Sequence, residues 1–247
     1  MAKLVIGNNK TVGVPAITKK VEELPALGLM KAKDANGKLI ASTTESQMID
    51  FTGMTDVSDY VLTRAYYKNT AISGAVDMSD LTTTTGEYSC NYMFYGCTGI
   101  TSADMSSLTT INGGNACSHM FDMCTGLTSF DLSALTTISG TSACQSMFLG
   151  CTGLTSANLS ALTTISGGNA CNSMFLGCTS LTTVRIGNAT AIGFGTRTNQ
   201  FNNMFQNCSQ NIDVYAPAAS KSTIEAFSGY PNFGGTGTVT WHWNTAE

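Results

Sequence analysis

Eight of the nine cysteines in this chain fall at positions 90, 97, 117, 124, 144, 151, 171 and 178, and the first of each pair recurs every 27 residues. The phrase around them recurs too. Cys144-Gln-Ser-Met-Phe-Leu-Gly-Cys-Thr-Gly-Leu-Thr-Ser-Ala-Asn-Leu-Ser-Ala-Leu-Thr-Thr-Ile-Ser-Gly is nearly copied from Cys171 onward, and more loosely from Cys117 and Cys90. The ninth, Cys208, closes a unit of 30 residues in which Phe201 replaces the first Cys. A weaker copy precedes them without either Cys, aligning Tyr66-Tyr67 with Met93-Phe94 and the run Asp77 to Leu81 with Asp104 to Leu108. Self-similarity at a fixed period of this length marks a solenoid or propeller, since one unit cannot bury its own apolar face and a stack of them can.

Within a unit, Cys117, Met120, Phe121 and Cys124 stand at i, i+3, i+4 and i+7. This spacing predicts a short helix with the four side chains, both Cys included, facing inward. After Thr125-Gly126, Phe130 and Leu132 alternate with Ser129, Asp131 and Ser133, the pattern of a half-buried strand. Leu135 and Ile138 then turn inward before a Gly/Asn-rich loop.

The phrases Met93-Phe-Tyr-Gly-Cys-Thr-Gly-Ile-Thr, Met147-Phe-Leu-Gly-Cys-Thr-Gly-Leu-Thr and Met174-Phe-Leu-Gly-Cys-Thr-Ser-Leu-Thr resemble the BspA type of leucine-rich repeat, over roughly Gln47 to Ile212. The run from Asn211 to Phe227 looks like the strand, Pro and short helix that close such arrays. The resemblance implies an α/β solenoid of strand-loop-helix coils, about five or six of them, wound right-handed as crossovers usually are. Two departures stand out: an inserted Gly-Gly-Asn-Ala-Cys stretch in the unit, and an N-terminus that does not read as the export signal usual in that family's bacterial surface proteins.

The expected division is 1–45 as an N-terminal attachment or capping segment, 46–212 as the solenoid and 213–247 as a C-terminal cap. Leu4, Val5 and Ile6, then Val12 and Val14, flank Asn8-Asn9-Lys10 as a β-hairpin that either attaches the chain or covers the first coil. At the other end Val239, Trp241 and Trp243 fall on one face of a strand, where both Trp can cover the last coil or form a contact site.

Charge and composition limit the functions open to the chain. With 12 basic and 16 acidic side chains and no basic run longer than Lys19-Lys20, nothing favours nucleic acid or an anionic membrane. No apolar run approaches the ~20 residues of a membrane span. Cys pairs seven apart, with His119 and His242 the only histidines, do not match zinc spacing, so no metal and no cofactor are expected and the Cys read as small hydrophobes. His119 occupies a position filled by Tyr92, Ser146 and Ser173 in other units and reads as a solvated surface residue. No nucleophile has an identifiable base, so the chain is expected not to be an enzyme, a hydrolase with an unannounced site being the remote alternative.

A binding function would lie on the outward columns, which vary while the core repeats. Tyr95, Asp122, Leu149 and Leu176 form one candidate column, expected to be largely exposed; Asp104, Asp131, Asn158 and Arg185 form another along the strands. The expected role is a bacteriophage virion component, a fibre or capsid decoration protein made in the host cytoplasm. Its partners would be other virion proteins or a host-surface protein or glycan, and the chain would be a homo-oligomer. A bacterial cell-surface adhesin of the BspA type is the alternative.

Overall fold

The computed structural model describes residues 55–57, 62–187, 199–208 and 210–244, together with the backbone of four strands nearer the N-terminus. Those four form two antiparallel pairs: β1 (Ala2–Ile6) with β2 (Lys10–Val14), and β3 (Met30–Lys33) with β4 (Leu39–Ala41). The expected hairpin ladder is therefore present, with Leu4 opposite Val12. The side chains of Leu4, Val5, Ile6, Val12 and Val14 lie outside the described residues, as does the 1–45 boundary.

From Thr55 onward the chain is a solenoid of about six coils, and every ladder between its strands is parallel. One ladder stacks the longer strands β5 (Ser73–Asp77), β7 (Gly99–Asp104) and β9 (Ser129–Asp131). A second continues on the same side with β11 (Ser156–Leu159), β13 (Thr183–Ile186), β14 (Ile212–Pro217) and β15 (Val239–Asn244). A third joins the two-residue strands β6 (Thr83–Thr84), β8 (Thr110–Ile111), β10 (Thr137–Ile138) and β12 (Thr164–Ile165). The break between β9 and β11 coincides with Phe130, which takes the inward site held by Ala103 and Ala157 in adjacent coils and stacks on Phe148 at 4.2 Å.

The segment expected to be a helix is not one. Among the described residues the only α-helix is α1 (Lys221–Glu225), after a single 3-10 turn at Ala218–Ser220, where the closing segment was expected to hold one. The run Cys117 to Cys124 is instead a row of stacked turns. Alternate N–H groups bond inside the coil, Met120 to Cys117 and Cys124 to Phe121, while those between reach the next coil, Cys117 to Ala143, His119 to Gln145 and Phe121 to Met147. Every fourth residue, Asn115, His119 and Met123, takes a left-handed φ of 53 to 58°. An α-helix would consume all these donors internally and leave the coils unjoined. Over eight residues a four-residue turn and a 3.6-residue helix place the same side chains inside, so periodicity alone does not separate them.

Inside, identical residues stack. Tyr66, Phe94, Phe121, Phe148 and Phe175 form a spine with centroids 5.3 to 5.7 Å apart and nearly parallel planes, all fully buried. The first coil is shifted by one residue from the sequence alignment, since Tyr66 stacks on Phe94 rather than aligning with Met93. At one corner the hydroxyls of Thr109, Thr136 and Thr163 each donate to the carbonyl of the Thr one coil earlier, Thr82, Thr109 and Thr136, at 3.1 to 3.2 Å. At the next corner a Cβ on Gly113, Gly140 or Gly167 would lie 2.0 to 2.1 Å from the carbonyl oxygen of the glycine below it. Backbone approach at that corner demands glycine. Gly140→Ala should therefore destabilise the fold by about 3 kcal/mol, the upper end for overpacking, read from urea unfolding; a variant as stable as the parent would contradict this stacking.

Candidate binding surface

The turn row has three outward columns. The first runs Arg64, Tyr92, His119, Ser146, Ser173 and Asn203, all with left-handed φ. The second runs Tyr67, Tyr95, Asp122, Leu149, Leu176 and Gln206, and the third Lys68, Gly96, Met123, Gly150, Gly177 and Asn207. Their character changes along the stack. In the first three coils they carry rings and charges, whereas later coils carry Ser, Leu, Gly, Asn and Gln.

These rings and charges form one cluster. Tyr67 stacks on Tyr95 at 4.8 Å and Tyr92 on His119 at 4.4 Å, with Tyr92 and Tyr95 5.6 Å apart. The Arg64 guanidinium lies 5.0 Å from the Tyr67 ring centre and 5.4 Å from that of Tyr92, and the Lys68 ammonium 5.5 Å from Tyr67. The Nδ1 of His119 pairs with Oδ2 of Asp122 at 2.7 Å. Oδ1 of Asp122 is buried without a hydrogen-bond partner among the described residues, as is Nε of Arg64. Burial first, and the Asp122 carboxylate second, hold the Tyr92 and Tyr95 phenols above their ordinary range. Both hydroxyls therefore remain donors.

Three expectations are corrected here. Asp122 is buried rather than exposed, because Tyr95 and Leu149 occupy its column on either side and His119 covers its carboxylate. Leu149 and Leu176 are half-buried against their neighbours in the stack, and the large apolar side chain standing exposed among the described residues is Met123, at 44%. His119 is a packed member of the cluster, not a solvated one. Arg64, Tyr67, Lys68 and Tyr92 escaped the sequence reading, since the one-residue shift of the first coil hid the Tyr67–Tyr95 pair. Its signal was the spacing Arg64, Tyr67, Lys68 against Tyr92, Tyr95, Gly96.

The strand columns divide differently. Asp77, Asp104 and Asp131 stand in register along a shallow trough of about 610 Å³. Each Oδ1 accepts the N–H of the serine two residues on, Ser79, Ser106 and Ser133 at 2.8 to 3.1 Å, and Asn158 does the same with Ser160. These side chains are local turn caps ending each strand. Arg185, next in the column, instead lies 4.9 Å from the Tyr215 ring centre, with Tyr215 stacked on His242 and His242 paired to Asp213. At the far end Trp241 and Trp243 pack on the core and cover the last coil.

All nine thiols are buried and unlinked. Those of Cys97, Cys124, Cys151, Cys178 and Cys208 donate to the carbonyls of Tyr66, Phe94, Phe121, Phe148 and Phe175 in the coil before, at 2.9 to 3.1 Å. Among the described residues no three His, Cys, Asp or Glu side chains gather as a metal ion requires.

No family model and no curated protein matches the chain. Two solved structures are similar. A leucine-rich repeat protein from Bacteroides ovatus is 19% identical over 76% of this chain, with a TM-score of 0.42, and the chain spans 46% of that protein's length. The T. pallidum leucine-rich repeat protein is 15% identical over 85% of this chain and 98% of its own, with a TM-score of 0.40.

Burial pushes Cys97 and Cys171 up to about 12 and Cys208 up to about 11. Thiols in the unfolded chain titrate near 8.5. The stability they contribute is thus fully present below that pH and is lost as pH rises toward 11 or 12, because only the unfolded state releases the proton. Urea midpoints should decline steeply above about pH 9, less so in Cys208→Ala, and no thiol should react with a disulfide reagent at neutral pH before unfolding. Native-state labelling at neutral pH would refute the burial.

Proposed function

We propose that the chain is a non-enzymatic binding module: a leucine-rich-repeat-like solenoid whose first three coils present an aromatic and cationic site, joined to a larger assembly by its N-terminal segment. The observation that carries this reading is the change of character along the turn face. The same coil closes in the later repeats with Ser146, Ser173, Gly150 and Gly177, so Arg64, Tyr92, His119 and Met123 are not needed to make the turn. Ser146 and Ser173 share the left-handed backbone of Arg64, Tyr92 and His119, so the difference along the stack is one of side-chain size and charge, which contact with another molecule explains.

The assembly we favour is a bacteriophage virion, with the chain as a fibre or decoration protein contacting a host-surface glycan or protein. Buried thiols with raised pKa support a protein that tolerates both a reducing cytoplasm and an oxidising exterior. A cell-surface adhesin shares that requirement and differs in what the N-terminal segment joins.

Two measurements test the proposal. Light scattering should show an oligomer for the full chain and a monomer for a chain beginning at Thr43; a monomer in both cases removes the attachment role. Leu149→Asp with Leu176→Asp should leave that oligomer intact, because those half-buried leucines stack on their own neighbours; dissociation would move the assembly contact to the turn face.

A further inference from the structure

Resting on that reading, the geometry points to an acidic saccharide as the ligand of the turn face, its carboxylate or sulfate taken by Arg64 and Lys68 and its hydroxyls by the phenols of Tyr92 and Tyr95. The argument begins with charge. The chain as a whole is acidic, at −4, yet no carboxylate among the described residues pairs with Arg64 or Lys68, and the nearby Asp122 is buried and pairs through Oδ2 with His119. Both cations are held against tyrosine rings. Held against two rings, the Arg64 guanidinium has its Nε buried and its terminal N–H groups left to donate, and part of its ordering entropy is already lost before a ligand arrives.

The rings then set the kind of ligand. Tyr67 and Tyr95 cover one another's faces at 4.8 Å, and Tyr92 and His119 at 4.4 Å, which leaves edges and hydroxyls rather than an open hydrophobic slot. Ring edges carry partial positive charge, and the two phenols retain their protons. The surface therefore offers donors and positive edges, matched to an anionic group on a hydroxylated ring. A peptide hot spot needs a pocket for its anchor, and a trough of about 610 Å³ lies instead on the strand face, lined by Asp77, Asp104 and Asp131. Nucleic acid would need more phosphate contacts than two cations provide. Three coils at ~4.8 Å spacing span about 10 Å, room for one or two sugar rings.

The test is titration calorimetry on the full chain with sialyllactose, with a heparin-derived oligosaccharide, and with lactose as the neutral control. The first two probes separate a carboxylate from a sulfate source, and at least one should bind while lactose does not. Arg64→Ser recreates the residue found in the fourth and fifth coils, and with Lys68→Ser it should weaken binding by roughly tenfold or more, 1.4 kcal/mol per tenfold. The thermal melt should be unchanged. Arg185→Ser, which removes a ring-held cation on the strand face, should leave affinity intact. Equal affinity for lactose, or affinity unaffected by the Arg64 and Lys68 changes, overturns the proposal. If the double variant abolishes attachment to whole cells yet no saccharide binds, the partner is a protein and only this inference falls. If cell attachment is also indifferent to the variant, the binding-module reading falls with it.

Discussion

Everything in this molecule depends on each coil's backbone hydrogen-bonding to the next in strict register. The strands do this in the ordinary parallel way, but the turn row does it with half its N–H groups, the other half closing turns within the coil. That division forces a left-handed residue at every fourth position, because only then does the chain return to the same height and present its next donor outward. The glycine corner follows from the same constraint. Where one coil's backbone rests on the backbone below, no Cβ fits.

Register then dictates the interior. A column of identical residues at ladder spacing works only for shapes that stack on copies of themselves. Phenylalanine rings, flat and apolar, do so in the spine. Cysteine does so for another reason: its thiol is small enough to stay inside the coil and polar enough to donate to the carbonyl that the preceding turn exposes. Threonine performs that task at the corner between the strand ladders. The second Cys of each pair and the first Thr of each Leu-Thr-Thr-Ile phrase thus act as side-chain caps on backbone acceptors, one coil to the next.

Much of this was legible in the sequence, and the exceptions share a cause. The 27-residue period, the inward set Cys117, Met120, Phe121 and Cys124, the strand at Ser129 and the C-terminal Trp pair are all present as read. The helix was misread because eight residues are too few to separate a period of 3.6 from one of four; the discriminating mark was Asn169 and Gly177, eight residues apart, and Asn203 and Asn207, four apart, residues that tolerate left-handed backbone. Asp122 was misplaced because its burial comes from His119 and the neighbouring coils, which the column alone does not show. The cluster around Tyr67 was hidden by a single-residue shift in the first coil, which no cysteine marks.

A repeat stack separates the tasks of folding and recognition more completely than a globular domain does. The inward columns must match their copies, so they are confined to a few residue types, while an outward column needs only to tolerate its own backbone. Here the first and third columns are left-handed in coil after coil, and the later coils fill them with Ser, Asn and Gly. Arg64, Lys68, Tyr92 and His119 depart from that pattern together, in adjacent coils, and contact one another or shared rings. Independent drift would scatter such departures along the stack. Their concentration over three coils, beside an exposed Met123 and ahead of three plain coils, is why the proposed site is placed on that stretch of the turn face.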